Sequence, residues 1–214
     1  MISVDAVIFD LDGVLVDSWS AVRRHWALWA EGHGLDAEEV LFAIQGRTAR
    51  EAVRELAPHL DAAAEVLRLQ ELELSDGVDI RVMPGAERLL GEIPAERWAI
   101  VTSGTAQIAR ARLRDAGLPL PRVLLTADDV REGKPSPEGM LLAAKRLRAT
   151  PARCVVVEDA DAGIAAAISA GMHVIHLAAH GPARPAADLQ IASLAEMTVR
   201  VDGGALQVLL HPPA

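Results

Sequence analysis

The chain has 214 residues, of which 51% are hydrophobic, and it carries a formal net charge of -9 at pH 7. This length and apolar content are enough for one full domain with a smaller insert. The negative balance argues against a nucleic-acid partner, because nucleic-acid binding depends on clustered lysines and arginines. The single cysteine, Cys154, excludes an internal disulfide. We find no membrane span and no basic leader, and we therefore expect a cytoplasmic protein.

Short apolar runs alternate with stretches of helical periodicity along most of the chain. We predict buried strands over residues 6–9, 99–101, 123–126, 154–157 and 173–177, and an edge strand over 187–191. We predict helices over residues 18–34, 38–44, 50–56, 62–74, 86–92, 107–116, 138–147, 162–170 and 205–210. Strands that alternate with helices build a parallel sheet. The predicted fold class is α/β, with a Rossmann-like parallel sheet core, helices on both faces and a small inserted all-helical cap domain.

One long stretch interrupts the alternation of strands and helices. Between the first motif and Val82 we find only helical periodicity, and we predict no strand there. We therefore expect an α/β core domain made of residues 1–16 and 82–214, and a helical cap domain made of residues 17–81. The two connections between these domains would lie beside the first motif, so that a small hinge rotation could open or seal a site there.

Three local features accompany these domains. Either Asp17 or Ser18 is placed to cap the first helix of the cap. Trp26 and Trp29 recur at helical spacing on that helix, and we expect them in the cap core. The segment 178–187 is rich in glycine, proline and alanine, and we expect this loop to cross the mouth of the site.

Polar residues follow three of the predicted strands directly. They are Asp10-Leu11-Asp12-Gly13 after residues 6–9, Thr102 after 99–101, and Glu158-Asp159 after 154–157. Lys134-Pro135 lies in a predicted loop. Parallel strands deliver side chains at their carboxyl ends, and open α/β sheets bind ligands along that edge. Each motif alone is typical of a turn, a helix cap or a solvated loop. Their combination in this order favours one site for metal-assisted phosphoryl transfer.

The chain resembles the haloacid dehalogenase superfamily of aspartate-nucleophile hydrolases. The segments that carry this resemblance are residues 9–18, 101–104, 133–135 and 157–163. The helical insert resembles the cap of the subgroup that holds phosphoglycolate phosphatases, sugar phosphatases and β-phosphoglucomutases. Segments 45–48, 98–104, 108–112 and 126–127 are similar, more narrowly, to the sugar and hexitol phosphatases.

The resemblance implies roles for the motif carboxylates. Asp10 corresponds to the nucleophile that forms an aspartyl-phosphate, and Asp12 corresponds to the general acid and base. Gly13 would let the backbone pass close to the phosphoryl group. The resemblance also implies Mg2+, held by Asp10, the backbone carbonyl of Asp12 and Asp159. Glu158 would lie outside these direct metal ligands and hold a metal-bound water or Lys134.

The remaining site residues are expected to bind the substrate. Leu11, Thr102, Ser103 and Gly104 match positions that contact phosphate in the family, and Lys134 would supply fixed positive charge. In the cap, Arg47 is the residue that we expect to contact substrate, because a guanidinium can bridge two hydroxyl groups.

These residues predict a Mg2+-dependent phosphatase of small phosphorylated sugars or sugar alcohols. Three alternatives stay open: a phosphomutase of the β-phosphoglucomutase type, a phosphoglycolate phosphatase, and a non-catalytic binding module. Val22 stands where the mutases carry a cap histidine, and Asp12 is absent from haloalkanoate dehalogenases, so the resemblance favours phosphate hydrolysis. We expect a small phosphorylated metabolite as partner, no nucleic acid or membrane, and a monomer or weak homodimer.

Overall fold

A computed structural model of the chain describes residues 1–45, 47–75, 80–178 and 186–211. The helices are α1 (Trp19–Gly32), α2 (Ala37–Ala43), α3 (Ala49–Leu56), α4 (Ala62–Ser75), α5 (Ala86–Glu92), α6 (Ala106–Asp115), α7 (Glu138–Leu147) and α8 (Asp161–Ser169). The strands are β1 (Ile2–Val4), β2 (Ala6–Phe9), β3 (Val16–Asp17), β4 (Arg81–Val82), β5 (Trp98–Val101), β6 (Val123–Leu125), β7 (Cys154–Glu158), β8 (His173–Leu177), β9 (Leu189–Ile191), β10 (Met197–Asp202) and β11 (Ala205–Leu210).

Six parallel strands form the central sheet, in the order β6-β5-β2-β7-β8-β9. Strand β2 is buried on both sides: Val7 and Phe9 enter one core, and Ala6 and Ile8 enter another. Helices α5 and α6 cover the first of these faces, and α7 and α8 cover the second. The predicted α/β class, with a parallel sheet between two helical layers, is confirmed.

The order of the strands determines where a ligand can approach. The chain first builds the sheet outward from β2 through β5 to β6, and then returns to add β7, β8 and β9 on the other side of β2. The direction of winding therefore reverses between β2 and β7. In doubly wound sheets, ligands bind at such a reversal, outside the carboxyl ends of the strands. Asp10 and Asp159 directly follow these two strands.

The prediction of a helix over 205–210 is wrong, because this segment is strand β11. It pairs antiparallel with β10 and β1 in a separate three-stranded sheet. Gly203 and Gly204 join β10 to β11 with φ values of 55° and 85°, as a two-residue hairpin turn requires. The apolar residues on both sides alternate, with Val199 and Val208 buried at directly paired positions. This alternation and the glycine pair were a strand signal that our helix assignment overlooked.

Helices α1 to α4 form an insert with a hydrophobic core of its own. Trp26 and Trp29 belong to that core, as predicted, and their rings meet edge to face at 5.3 Å. The prediction of no strand before Val82 needs a correction. Strand β3 pairs antiparallel with β4, Val16 with Val82 and Asp17 with Arg81, and so ties together the two connections of the insert.

The edge strand predicted near residues 187–191 is confirmed as β9, which pairs parallel to β8. Most of the loop predicted to cross the site, residues 179–185, lies outside the described residues, and so does Gly46 of the segment 45–48. Among the described helices, none combines the length and the apolar character needed to cross a bilayer.

Candidate active site

The centre of the site is a lysine between two carboxylates. The Lys134 Nζ lies 2.5 Å from Asp10 Oδ1 and 2.6 Å from Glu158 Oε1, and all three side chains are buried. Burial disfavours the Lys134 ammonium, but the charges of Asp10 and Glu158 outweigh this cost and raise the pKa of Lys134 above its ordinary value. The second oxygen of Glu158 accepts hydrogen bonds from the backbone amides of Asp159 and Ala160, at 2.6 and 2.7 Å. Lys134 is thus a fixed cation at the end of β2.

Three carboxylates are close enough to hold one metal ion. One oxygen each of Asp10, Glu158 and Asp159 lies within 4.8 Å of the others. Burial, followed by the charges of Glu158 and Asp10, raises the pKa of Asp159 to about 9. Burial also raises the pKa of Asp10 to about 7, although Lys134 opposes this. Asp10 and Glu158 are buried and Asp159 is half-buried. Because one ammonium does not balance three such acids, these oxygens fit a hard divalent cation.

Gly13 lets the first motif pack against the last one. Its φ is 81°, a left-handed conformation that side chains disfavour. A Cβ at this position would lie 2.1 Å from Asp159 Oδ2. The sequence analysis assigned this glycine to close approach of phosphate. The structure gives a second reason for a glycine here, which is the close approach of its backbone to the Asp159 carboxylate.

Asp12 lies next to this cluster, and its Oδ1 has two partners that sequence reasoning missed. The Ser18 Oγ donates a hydrogen bond to it at 2.5 Å, and the Arg112 Nη1 lies 2.5 Å away. Ser18 does precede α1, but its side chain makes no capping hydrogen bond, and the amide of Trp19 makes only a long contact of 3.4 Å with Asp17. Of the two residues predicted as alternatives for the cap, Asp17 accepts this bond, whereas the Ser18 hydroxyl contacts Asp12.

Arg112 connects the core to the insert. It lies on α6, its side chain is only 8% exposed, and its Nη2 lies 2.6 Å from Glu73 Oε1 on α4. Burial opposes its charge, but Asp12 and Glu73 raise the pKa of Arg112 above its usual range. The one sequence signal was indirect. The segment 108–112 carried part of the resemblance to hexitol phosphatases, without a role for its last residue.

Three of the expected phosphate-binding residues, Thr102, Ser103 and Gly104, lie at the end of β5. Thr102 is buried, and its Oγ1 accepts a hydrogen bond from the Gly104 amide at 3.0 Å, which closes the turn after the strand. Thr102, Ser103 and Gly104 all line the cavity above Asp10. Leu11 is fully buried, so a contact of this residue with phosphate would have to use its backbone.

A cavity of about 750 Å³ lies between the sheet edge and the insert. The core supplies its acidic wall and the turn after β5, and the insert supplies residues that include Trp19, Val22 and Phe42. Arg47 also lines it; its side chain is 41% exposed and pairs with Glu55 on α3. The volume is in the range of small-molecule sites. The structure therefore brings Arg47 and the predicted site residues of the core, except Leu11, to the same cavity.

A second contact joins the insert to the loop that carries Lys134. The Glu51 Oε1 accepts a hydrogen bond from the Gly133 amide at 3.0 Å. The other oxygen of Glu51 caps its own helix through Thr48. A Cβ on Gly133 would lie 2.6 Å from Thr48 Cγ2, so a glycine is needed for this close approach.

Fold and site together define a hydrolase with a doubly wound parallel sheet, whose acidic, lysine-bearing centre suits phosphate esters. The chain belongs to the haloacid dehalogenase-like hydrolases, because the family model with that description matches residues 4–171. It is a phosphoric monoester hydrolase of the sugar-phosphatase type.

Named relatives support this classification. The chain is 45% identical over 199 residues to hexitol phosphatase A of Escherichia coli, covering 90% of this chain and 92% of that protein. It is 33% identical to glycerol-1-phosphate phosphohydrolase 2 of Saccharomyces cerevisiae, covering 83% of this chain and 76% of the relative. The crystal structure of CbbY from Rhodobacter sphaeroides in complex with phosphate has a TM-score of 0.78 and 26% identity, covering 90% of this chain and 96% of that one.

Proposed function

We propose that this protein is a Mg2+-dependent phosphatase of hexitol phosphates and related small sugar phosphates, which acts through an aspartyl-phosphate on Asp10. The observation that carries the proposal is the contact of Lys134 Nζ with Asp10 Oδ1 at 2.5 Å, on the floor of a cavity closed by the insert. The identity to hexitol phosphatase A supports the substrate class.

The first chemical step transfers the phosphoryl group to the protein. A carboxylate oxygen of Asp10 attacks phosphorus while the bond from phosphorus to the alcohol oxygen breaks. Asp12 gives its proton to that leaving oxygen. In the second step, Asp12 takes a proton from water, and the resulting hydroxide displaces Asp10 from phosphorus. Lys134 stays protonated throughout and stabilises negative charge on the phosphoryl oxygens.

The metal would be held by Asp10, Asp159 and the backbone carbonyl of Asp12, with Glu158 behind them. When bound, Mg2+ supplies positive charge that offsets the carboxylates and the phosphate. Glu158 keeps its own orientation through the two amide hydrogen bonds at its Oε2. The ion pair of Lys134 with Glu158 then keeps the ammonium beside Asp10.

The phosphate group would be bound by the Thr102 hydroxyl, the backbone amides of Leu11 and Ser103, and Lys134. Gly104 would act mainly by closing the turn, because its amide already donates to Thr102. Thr102 and Ser103 follow β5, Leu11 follows β2, and Lys134 lies in the loop between β6 and α7. These donors would stabilise the negative charge that develops on the phosphoryl oxygens.

The polyol would extend toward the insert, and we propose that residues 17–81 act as a mobile cap over a core of residues 1–16 and 82–214. A cavity of about 750 Å³ exceeds the needs of a two-carbon acid such as glycolate, which favours a longer substrate. Arg47 would contact the polyol hydroxyl groups after exchanging its ion pair with Glu55.

A substrate panel tests this function. We expect kcat/KM for sorbitol 6-phosphate to exceed that for phosphoglycolate by at least about tenfold, since several hydroxyl contacts distinguish them. Asp10→Asn should fold and lose turnover, because the amide cannot attack phosphorus to form the aspartyl-phosphate. Retention of a tenth of kcat by this variant would contradict the nucleophile assignment. Efficient conversion of glucose 1-phosphate to glucose 6-phosphate with added bisphosphate would instead favour the mutase alternative.

A further inference from the structure

Two donors hold the same oxygen of Asp12. The Ser18 Oγ and the Arg112 Nη1 each lie 2.5 Å from Asp12 Oδ1. A carboxyl group held at one oxygen has its plane and its second oxygen fixed as well. The contacts therefore assign proton exchange with substrate to Oδ2.

This arrangement suits a group that must work in both protonation states. When Asp12 carries its proton on Oδ2, Oδ1 is a carbonyl oxygen and still accepts hydrogen bonds. When Asp12 is ionised, Oδ1 still accepts from the same two donors. Arg112 can therefore keep its contact with Asp12 before and after each proton transfer.

Arg112 has its own support from the insert. Its Nη2 and Nε lie 2.6 and 2.8 Å from Glu73 Oε1 on α4. The guanidinium is buried and carries a planar set of donors, so these contacts fix its orientation. Asp12 lies on the core and Glu73 on the insert, and Arg112 pairs with both only while α4 is docked on α6.

We propose that Arg112 is a positioning residue that orients Asp12 for protonation of the leaving group, and that Glu73 makes this orientation depend on the docked insert. The proposal rests on the proposed phosphatase function and adds two residues to it. Protonation of the leaving oxygen would then be efficient only when the cavity is closed.

Two substrates with different leaving groups distinguish a positioning role of Arg112 from a merely structural one. A sugar alkoxide is a strong base and needs a proton as it departs, whereas p-nitrophenolate leaves readily without one. If Asp12 is no longer oriented, kcat/KM for sorbitol 6-phosphate should thus fall, whereas kcat/KM for p-nitrophenyl phosphate should stay nearly the same. Damage to the fold, the metal site or the nucleophile would lower both.

Four variants carry the experiment. Arg112→Met keeps the apolar stem without the guanidinium, Arg112→Lys keeps the charge, and Glu73→Gln removes the support. Arg110→Met is the matched control, because Arg110 is an exposed arginine on the same helix. Two other contacts of the insert with the core, from Gln70 to Thr105 and from Glu51 to Gly133, remain in all four variants.

We expect Arg112→Met to lower kcat/KM for sorbitol 6-phosphate by roughly 100-fold, the lower end of what general acid catalysis supplies, mainly through kcat. The loss with p-nitrophenyl phosphate should stay below about threefold. Arg112→Lys should recover part of the loss, Glu73→Gln should show a smaller selective loss, and Arg110→Met should match the parent protein. Adding Glu73→Gln to Arg112→Met should cost little more, because the two act through one contact.

Two results would overturn the proposal: equal losses on both substrates in Arg112→Lys and Glu73→Gln, or no selective loss in any Arg112 variant. These two milder variants decide the matter if Arg112→Met does not fold. The Asp12→Asn variant distinguishes a failure of the positioning role of Arg112 from a failure of the proposed phosphatase mechanism. If Asp12→Asn also kept full turnover of sorbitol 6-phosphate, the acid assignment itself would be wrong.

Discussion

Gly13 occupies a tightly constrained backbone position three residues after the nucleophile. Its left-handed φ alone should make Gly13→Ala cost about 1–2 kcal/mol of folding free energy. The added Cβ would also displace Asp159, whose Oδ2 lies 2.1 Å from that position. We therefore expect the Mg2+ concentration for half-maximal activity to rise by at least about tenfold, as when a metal ligand's support is lost.

Gly171→Ala is the matched control for Gly13→Ala. Gly171 has a φ of 72°, and nothing lies within 4 Å of the Cβ that alanine would add. Both variants should lower the Tm, measured by circular dichroism, but only Gly13→Ala should weaken the response to Mg2+. An unchanged Mg2+ titration in Gly13→Ala would show that the turn can move without disturbing Asp159.

At the scale of elements, the start of α3 faces the cavity with Arg47 while its Glu51 contacts the core. Arg47→Ala should lower kcat/KM for sorbitol 6-phosphate by about 10- to 100-fold, the loss of one or two hydrogen bonds to a charged group. Turnover of p-nitrophenyl phosphate, which lacks the polyol, should fall much less. The kinetic comparison of the two substrates measures whether this helix selects substrate.

Arg50→Ala provides the control for Arg47→Ala, since Arg50 is exposed in the first turn of α3, three residues after Arg47, and does not line the cavity. It should leave both substrates unaffected. Equal losses on the two substrates in Arg47→Ala would assign Arg47 to the phosphoryl step or to the fold of the insert. The specificity role would then have to be abandoned.

For the whole molecule, the buried carboxylates link stability to pH and metal. Burial raises the pKa of Asp10 to about 7 and that of Asp159 to about 9, from 3.8. Between pH 3.8 and these raised values, the folded chain binds more protons than the unfolded chain. The free energy of unfolding therefore falls as pH rises through this range. In EDTA, we expect the Tm to drop by ~3 °C or more between about pH 5 and pH 8, the effect of about 1 kcal/mol in a protein of this size.

Mg2+ should reverse this loss at about pH 8, because it binds only the folded, ionised cluster. Activity should disappear in EDTA and return with Mg2+, while Ca2+ should inhibit by favouring a higher coordination number. Asp159→Asn should flatten the dependence of Tm on pH in EDTA. Full activity after exhaustive chelation, or a Tm that rises with pH in EDTA, would contradict this account.

Much of the fold and site was predictable because local sequence determines it. Apolar runs such as residues 6–9 and 154–157 are short and rich in β-branched residues, which favours buried strands, and parallel strands share one carboxyl edge. Asp10, Thr102 and Glu158 therefore had to approach one another. The hairpin of β10 and β11 was equally readable, since a glycine pair between alternating runs is a local signal.

The partners of Asp12 were decided only by the tertiary structure. Ser18 looked like a helix cap, and Arg112 looked like one of several arginines on an amphipathic helix. Helical periodicity tells which residues face inward, but it does not tell which element packs opposite them. The docking of α4 on α6 brings Glu73 to Arg112, 39 residues further along the chain. The sequence by itself thus determined the reacting groups at the strand ends, whereas packing between distant helices decided which side chains orient them.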